Sequence, residues 1–344
     1  MIVVPLEVRF PRNAYPIPVE GYEDFVSSYG WHPGQPEKHL PKFTKSSVGA
    51  YDFCAQQGFI KYVLGVKEPE NDNMIRGTNV HDAVEQFYHD VDLDSVRGLV
   101  EIYFDAESLY DYFLELIPNL DQYELGEEEH IKKYLWIEAE RALECNLDYF
   151  LPVGNELTLH GVVEYEDQLI HITGMIDRLF INENGEYHIH ELKTGVFKEH
   201  NKKKWEHMRR ELAYYVFLMK NCDNRLYDRQ GNVVGKANFN DAEIAYWGWD
   251  HTGGDGVFRG KEAIRVKEMG LMYNSISDLL LYHRNYRGDM DGLQFPMLPR
   301  DSLNYICEPW CALKGFCPRY EKSLMPSATS VFKRKSPSEE VESG

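Results

Sequence analysis

The sequence predicts an α/β fold, with helices first, a strand-rich centre and a cysteine-rich end. Three observations predict it. Amphipathic helical spacing dominates up to residue 150, and strand-like segments follow one another between 156 and 194. A helix, a strand and a long helix then alternate up to residue 286.

A chain of 344 residues can form one large or two ordinary domains, and 43% hydrophobic with 13% aromatic residues describes a globular core. No run of eighteen apolar residues occurs, so no membrane span is expected. The start, "MIVVPLEVRFPRNAYP", lacks the basic region and apolar length of a signal peptide, which predicts an intracellular protein. The formal charge of −19 argues against nucleic-acid binding by bulk electrostatics. Salt confines each charge to about 8–10 Å, however, so its distribution decides. Acid gathers between residues 90 and 140, and base at 193–210, 258–267 and 283–287.

Residues 1–45, rich in Pro, Gly and aromatics without periodicity, read as an extended arm. A helix over 46–65 opens on serine caps. In "RGTNVHDAVEQFYHD" Thr78 can cap a second helix, whose apolar face is Val80, Ala83, Val84 and Phe87. Residues 96–118 and 127–150 predict two more amphipathic helices, acidic on their wet faces, completing a helical region over 46–150. Strands are expected at 156–165, 168–182 and 186–194, the last two joined at "NENG". Then come a helix over 204–220 with Trp205, Met208, Leu212, Tyr215 and Met219 on one face, a strand at 242–250 and a helix over 265–286. These place a core domain at 151–290, a Cys-rich segment at 291–324 and a disordered polar tail at 325–344.

Within the apolar strands, Asp177, Glu191 and Lys193 need explaining. Buried carboxylates cost several kcal/mol unless paired or bound to a cation. Mg²⁺ suits them, because it takes one or two carboxylates and leaves other positions to water and phosphate. Lys193 projects from the same strand face as Glu191, placed to assist water or stabilise phosphate charge, while Leu192 points into the core. Turn parity tests the idea. A two-residue Asn184-Gly185 turn would put Asp177 opposite Leu192, on the wrong face. A three-residue loop, Glu183-Asn184-Gly185, pairs Asn182 with Glu186 and brings Asp177 opposite Glu191. It demands positive φ at Gly185.

Asp177 in "GMIDR" followed by Glu191-Leu192-Lys193 in "ELKTG" resembles the PD-(D/E)XK nuclease superfamily, in its RecB-like variant. The resemblance implies a restriction-endonuclease-like core, a mixed central sheet flanked by helices. It also implies a metal-dependent DNA nuclease, an exonuclease or flap-trimming enzyme on single strands or ends. "GTNVH" matches that group's upstream metal-binding histidine, His81. "ELAYY" matches a downstream motif through Tyr215, with Glu211 replacing the usual glutamine. By resemblance the metal ligands are His81, Asp177, Glu191 and the backbone carbonyl of Leu192, holding Mg²⁺ or Mn²⁺. Lys193 assists the water and Tyr215 braces the site or touches DNA. Arg178, Lys202, Lys203, Lys204, Arg209 and Arg210 would guide phosphate. The competing interpretation of that basic run is a solvated charged loop.

"CEPWCALKGFC" sets Cys307, Cys311 and Cys317 within eleven residues. Thiolates so spaced hold zinc or an iron–sulfur cluster. The resemblance extends to an iron–sulfur subgroup of RecB-like nucleases, including AddB-type subunits and CRISPR adaptation exonucleases, with one cysteine before the core and three after it. That implies a [4Fe–4S] cluster on Cys54, Cys307, Cys311 and Cys317. This chain has C-x3-C-x5-C where the subgroup usually has C-x2-C-x5-C, and zinc stays open as the competing metal. The cluster would join segments about 250 residues apart, restricting the unfolded chain. Cys145 and Cys222 read as core residues. No Walker A sequence occurs, so a helicase would be a separate partner, as would a CRISPR adaptation complex. The rival from another class is a non-catalytic DNA-binding or scaffold subunit that keeps the fold.

Overall fold

The computed structural model describes residues 42–63, 70–165, 168–196, 202–228, 231–239, 242–253 and 258–285, with Phe295, Pro296, Cys307, Cys311, Leu313 and Cys317. The expected arm before residue 42 and the tail after 324 lie outside the described residues.

A short strand, β1 (Lys42–Phe43), leads into α1 (Lys45–Phe53). Thr44 caps α1 in a reciprocal pair with Ser47, which satisfies two orphan amides. Cys54 breaks the helix with an extended backbone, and the one-turn α2 (Ala55–Gly58) and a π-turn at Phe59–Val63 follow. Helix α3 (Asp72–Asp90) is capped by Asn71. Thr78 is therefore not the expected cap: it lies a turn and a half inside, donating its hydroxyl to the Met74 carbonyl.

The helix expected over 96–118 is two helices, α4 (Leu93–Ile102) and α5 (Ala106–Glu115). Asp92 and Asp105 each cap one of them, and Phe104, at φ 47°, reverses the chain between them. Helix α6 (Glu127–Glu144) opens with three glutamates, which suit its positive end. It stops short of residue 150, where a 3₁₀ turn (Leu147–Tyr149) takes over.

Strands β2 (Gly154–Tyr165), β3 (Gln168–Ile181) and β4 (Tyr187–Val196) form the predicted meander. After α7 (Lys202–Asn221) come β5 (Arg225–Tyr227), β6 (Val233–Lys236), β7 (Ile244–Gly253), β8 (Phe258–Ala263) and α8 (Val266–Asn285). All eight strands join one mixed sheet in the order β6-β5-β2-β3-β4-β7-β8, with β1 parallel to β3 and β7 parallel to β4. Four of these strands (β1, β5, β6 and β8) lie outside the expected segments. β8 reads as a basic run because it is an edge strand, and edges carry charge to discourage stray pairing.

Two cores flank the sheet. One packs α1, α2, α7 and α8 against Leu157, Leu159, Ile170, Ile172 and Ile176. The other packs α3, α5 and α6 against Phe180 and Leu192. The helical region over 46–150 thus divides: its first part belongs to the sheet's core and the remainder builds a second one. Gly161 lets α7 close on β2, since a Cβ there would lie 2.2 Å from the Asn221 carbonyl oxygen.

Candidate active site

The expected loop forms. Gly185 has φ 77°, its amide donates to the Asn182 carbonyl, and the Asn182 amide donates to the Glu186 carbonyl. The β3–β4 ladder then pairs Ile181 with Tyr187 through to Arg178 with His190. The next position in that register is Asp177 opposite Glu191. There a side chain replaces the backbone partner: the Leu192 amide donates to Asp177 Oδ2 at 2.7 Å.

On the other side of β3 the ladder skips one position, because Asn155 pairs with Arg178 and Leu157 with Ile176. Glu156 fills that gap in a left-handed conformation, φ 48°. Such backbone in a non-glycine residue costs about 1–3 kcal/mol and re-aims the strand. The strand turns over at this point, so Ile176 faces one core and Phe180 the other. Its result is a row of carboxylates from three adjacent strands, Glu156, Asp177 and Glu191, all buried.

Helix α3 lays His81 across the row. Nδ1 is 2.9 Å from Glu156 Oε1, while Nε2 is 3.2 Å from the Leu192 carbonyl oxygen and 3.8 Å from Asp177 Oδ2. His81, Glu156 and Asp177 each offer one ligand atom within 4.8 Å of the others. Burial alone would lower the His81 pKa, but Asp177 and Glu156 raise it overall. Each ring nitrogen of His81 therefore faces an oxygen, Glu156 Oε1 on one side and the Leu192 carbonyl on the other.

Glu191 Oε1 accepts from Lys193 Nζ at 2.7 Å and also from Lys45 Nζ. Burial works against its charge, yet Lys193 and Lys45 bring its pKa down to about 2. Its other oxygen, Oε2, is buried without a hydrogen-bond partner. Asp177 goes the opposite way: burial and the neighbouring Glu191 raise its pKa. Lys193 also reaches Glu211 Oε2 at 3.3 Å, and His207 sits 3.5 Å from Glu211 Oε1. Glu211 thus sits between a lysine and an imidazole. Tyr215 is 1% exposed; its hydroxyl donates to the Met175 carbonyl and its ring lies 5.1 Å from Lys45 Nζ. It braces β3 from within the core.

Three expected phosphate guides already have protein partners. Arg178 is 1% exposed, 3.7 Å from buried Asp250 and over the Tyr134 ring, because its neighbour Asp177 takes the other face. Arg209 makes a two-pronged pair with Glu262, and Arg210 pairs with Asp52. Lys202, Lys203 and Lys204 open α7, but their side chains lie outside the described residues.

Two residues at the site escaped sequence reasoning. Glu156 carried one signal, an acid at the start of a largely apolar strand beside the Asp177 strand. Lys45 carried none, since it reads as an ordinary first-turn residue of α1.

Burial and the proximity of Cys54, Cys311 and Cys317 raise the Cys307 pKa, and the Cys311 amide donates to the Cys307 carbonyl. Cys222 lies in the core, and Cys145 is half-buried beside the helical core.

A family model for the PD-(D/E)XK nuclease superfamily matches residues 42–318. The chain belongs to the PD-(D/E)XK nuclease superfamily. Members of this superfamily are generally nucleases that use divalent metals, and the mixed sheet flanked by helices agrees with its restriction-endonuclease-like fold. A comparison with curated proteins finds no match. Among solved structures, one titled "Crystal structure of SSO0001" is similar at 11% identity and TM-score 0.36, over 81% of this chain and 86% of that one. Among the described residues no helix is long and apolar enough to cross a membrane.

Proposed function

We propose that the chain is a Mg²⁺- or Mn²⁺-dependent deoxyribonuclease acting on single-stranded DNA or DNA ends. The observation that carries this reading is the convergence of His81 Nε2, Asp177 Oδ2 and the Leu192 carbonyl beside Glu191, whose Oε2 is buried and has no hydrogen-bond partner. Hard oxygen donors with one imidazole fit either cation. A divalent cation held there lowers the pKa of coordinated water and neutralises phosphate charge.

The chain's own groups do the rest. Glu156 accepts the Nδ1 proton of His81, which leaves Nε2 to face the cation, as outer carboxylates commonly arrange. With Nδ1 held by Glu156, Nε2 would be the nitrogen that holds a cation together with Asp177. Lys193, held by Glu191 and Glu211, orients the attacking water or meets charge developing on the phosphate. Lys202, Lys203 and Lys204 would lead the DNA backbone towards the site.

Cys54, Cys307, Cys311 and Cys317 are the residues that would hold a [4Fe–4S] cluster or, failing iron, zinc: three of them fall within eleven residues of the sequence, and thiolates so spaced are ligands for either. Its role in this reading is structural. A helicase or a CRISPR adaptation complex remains the proposed protein partner.

The test is cleavage of end-labelled single- and double-stranded DNA with Mn²⁺ and with EDTA. Mn²⁺-dependent shortening of the labelled strand, lost in Asp177→Ala, is expected. Intact DNA in all lanes would refute the nuclease reading. Iron and zinc analysis of anaerobically purified protein decides the thiol site.

A further inference from the structure

Two lysines converge on a single carboxylate oxygen, and only one of them belongs to the Glu-x-Lys pattern. Lys45 comes from the first turn of α1, where the Thr44 cap fixes the backbone, and its ammonium bonds Glu191 Oε1 beside Lys193. The side chain is 16% exposed, so it is neither a surface lysine nor sealed in. Its ring neighbour Tyr215 is itself pinned to Met175, which holds the stem from the other side.

The charge count explains why a second lysine is there. Glu156, Asp177, Glu191 and Glu211 bring four carboxylates to this region, and Lys45 and Lys193 are the lysines that answer them. Lys193 alone would be divided between Glu191 at 2.7 Å and Glu211 at 3.3 Å. With Lys45 on Glu191, Lys193 can serve Glu211 and still face an incoming anion. Glu191 is meanwhile held through Oε1, leaving Oε2 fixed in direction. Lys45 and Glu211 also line one small pocket, together with Asp52 and His207, so the two charges face the same space.

We propose that Lys45 is a positioning residue of the nuclease site, which orients Glu191 and offsets the charge of Glu211 so that Lys193 is available to phosphate. This rests on the nuclease reading above. It differs from an anchoring role for α1, because it ties Lys45 to one particular carboxylate, Glu211.

The experiment compares wild type, Lys45→Gln, Glu211→Gln and the double variant in three measurements: Mn²⁺ affinity by calorimetry, single-stranded DNA affinity in Ca²⁺, and cleavage in Mn²⁺. Lys45→Gln should weaken Mn²⁺ binding and cleavage by about 10–100-fold, the usual range for residues that orient metal ligands. Adding Glu211→Gln should recover about tenfold of DNA affinity, since the two residues are coupled through one lysine. A merely structural Lys45 would show no such recovery. Lys45→Arg, which keeps the charge, guards against simple misfolding and should retain most DNA affinity. Wild-type behaviour in Lys45→Gln, or a double variant no better than Lys45→Gln, overturns the proposal while the nuclease reading stands. A wild type that neither cuts DNA nor binds Mn²⁺ overturns both.

Discussion

Glu156 and Lys193 show how single residues divide the work at this site. Glu156 accepts strained backbone to reach His81, and nothing in the core needs a carboxylate there. Glu156→Gln should therefore cost about 10–100-fold in Mn²⁺ affinity with little change in melting temperature; unchanged affinity would mean that His81 is oriented by other groups. Lys193→Ala should lower cleavage by about 10²–10³-fold, the range for losing one electrostatic contact to the reacting group. Cleavage at the wild-type rate would remove Lys193 from the mechanism. Asp177, Glu191 and Lys193 could be brought together from the sequence because strand alternation and turn parity constrain them, whereas His81 came only through the family resemblance. Lys45 and Glu156 were legible by neither route. One arrives from a helix more than 140 positions away from its partner, and the other depends on a backbone irregularity that no periodicity encodes.

Among the elements, the β3–β4 hairpin decides whether a site exists at all. Its three-residue loop sets the parity that puts Asp177 opposite Glu191, and parity follows from counting residues, so it could be read in advance. Gly185 has open space around it, so Gly185→Ala adds only backbone strain. Chemical denaturation should show a loss of about 1 kcal/mol; no loss would mean that the loop relaxes to another turn. Helix α1 connects two functional groups, with Lys45 in its first turn and Cys54 as its C-cap. Its nine residues span about 13 Å. Cys54→Ser should consequently weaken cleavage as well as stability, although Cys54 takes no part in the chemistry. Full cleavage by Cys54→Ser would show that α1 holds Lys45 without the thiols. Short or charged strands such as β5, β6 and β8 stayed illegible, because their burial is set by neighbouring strands rather than by their own pattern.

Across the whole molecule, two cores meet on one sheet, and the carboxylate row lies where β3 turns from one core to the other. Two buried histidines, His171 and His283, and the half-buried His160 make this arrangement sensitive to acid. Burial lowers the pKa of His160 and His283 to about 4 and of His171 to about 3, from an ordinary 6.5. Nearby Lys42 adds to the shift for His160 and His171, whose rings stack at 5.6 Å, while Asp223 opposes it for His160. His283 lies among the rings of Phe43, Tyr51 and Phe295. A histidine with a lowered folded pKa is protonated first in the unfolded chain. Stability is therefore full above about pH 6.5 and falls as pH drops towards 4. Denaturation midpoints should decline over that window, less steeply in His171→Phe; a flat profile would show these rings to be solvated.

Mn²⁺ titration by calorimetry of wild type and Asp177→Ala tests the central claim, that the row of carboxylates beneath His81 is a divalent-metal site. Wild type should take up Mn²⁺ with release of the His81 proton, and Asp177→Ala, folded to the same melting temperature or higher, should lose that uptake. Equal Mn²⁺ binding by both proteins would contradict the account.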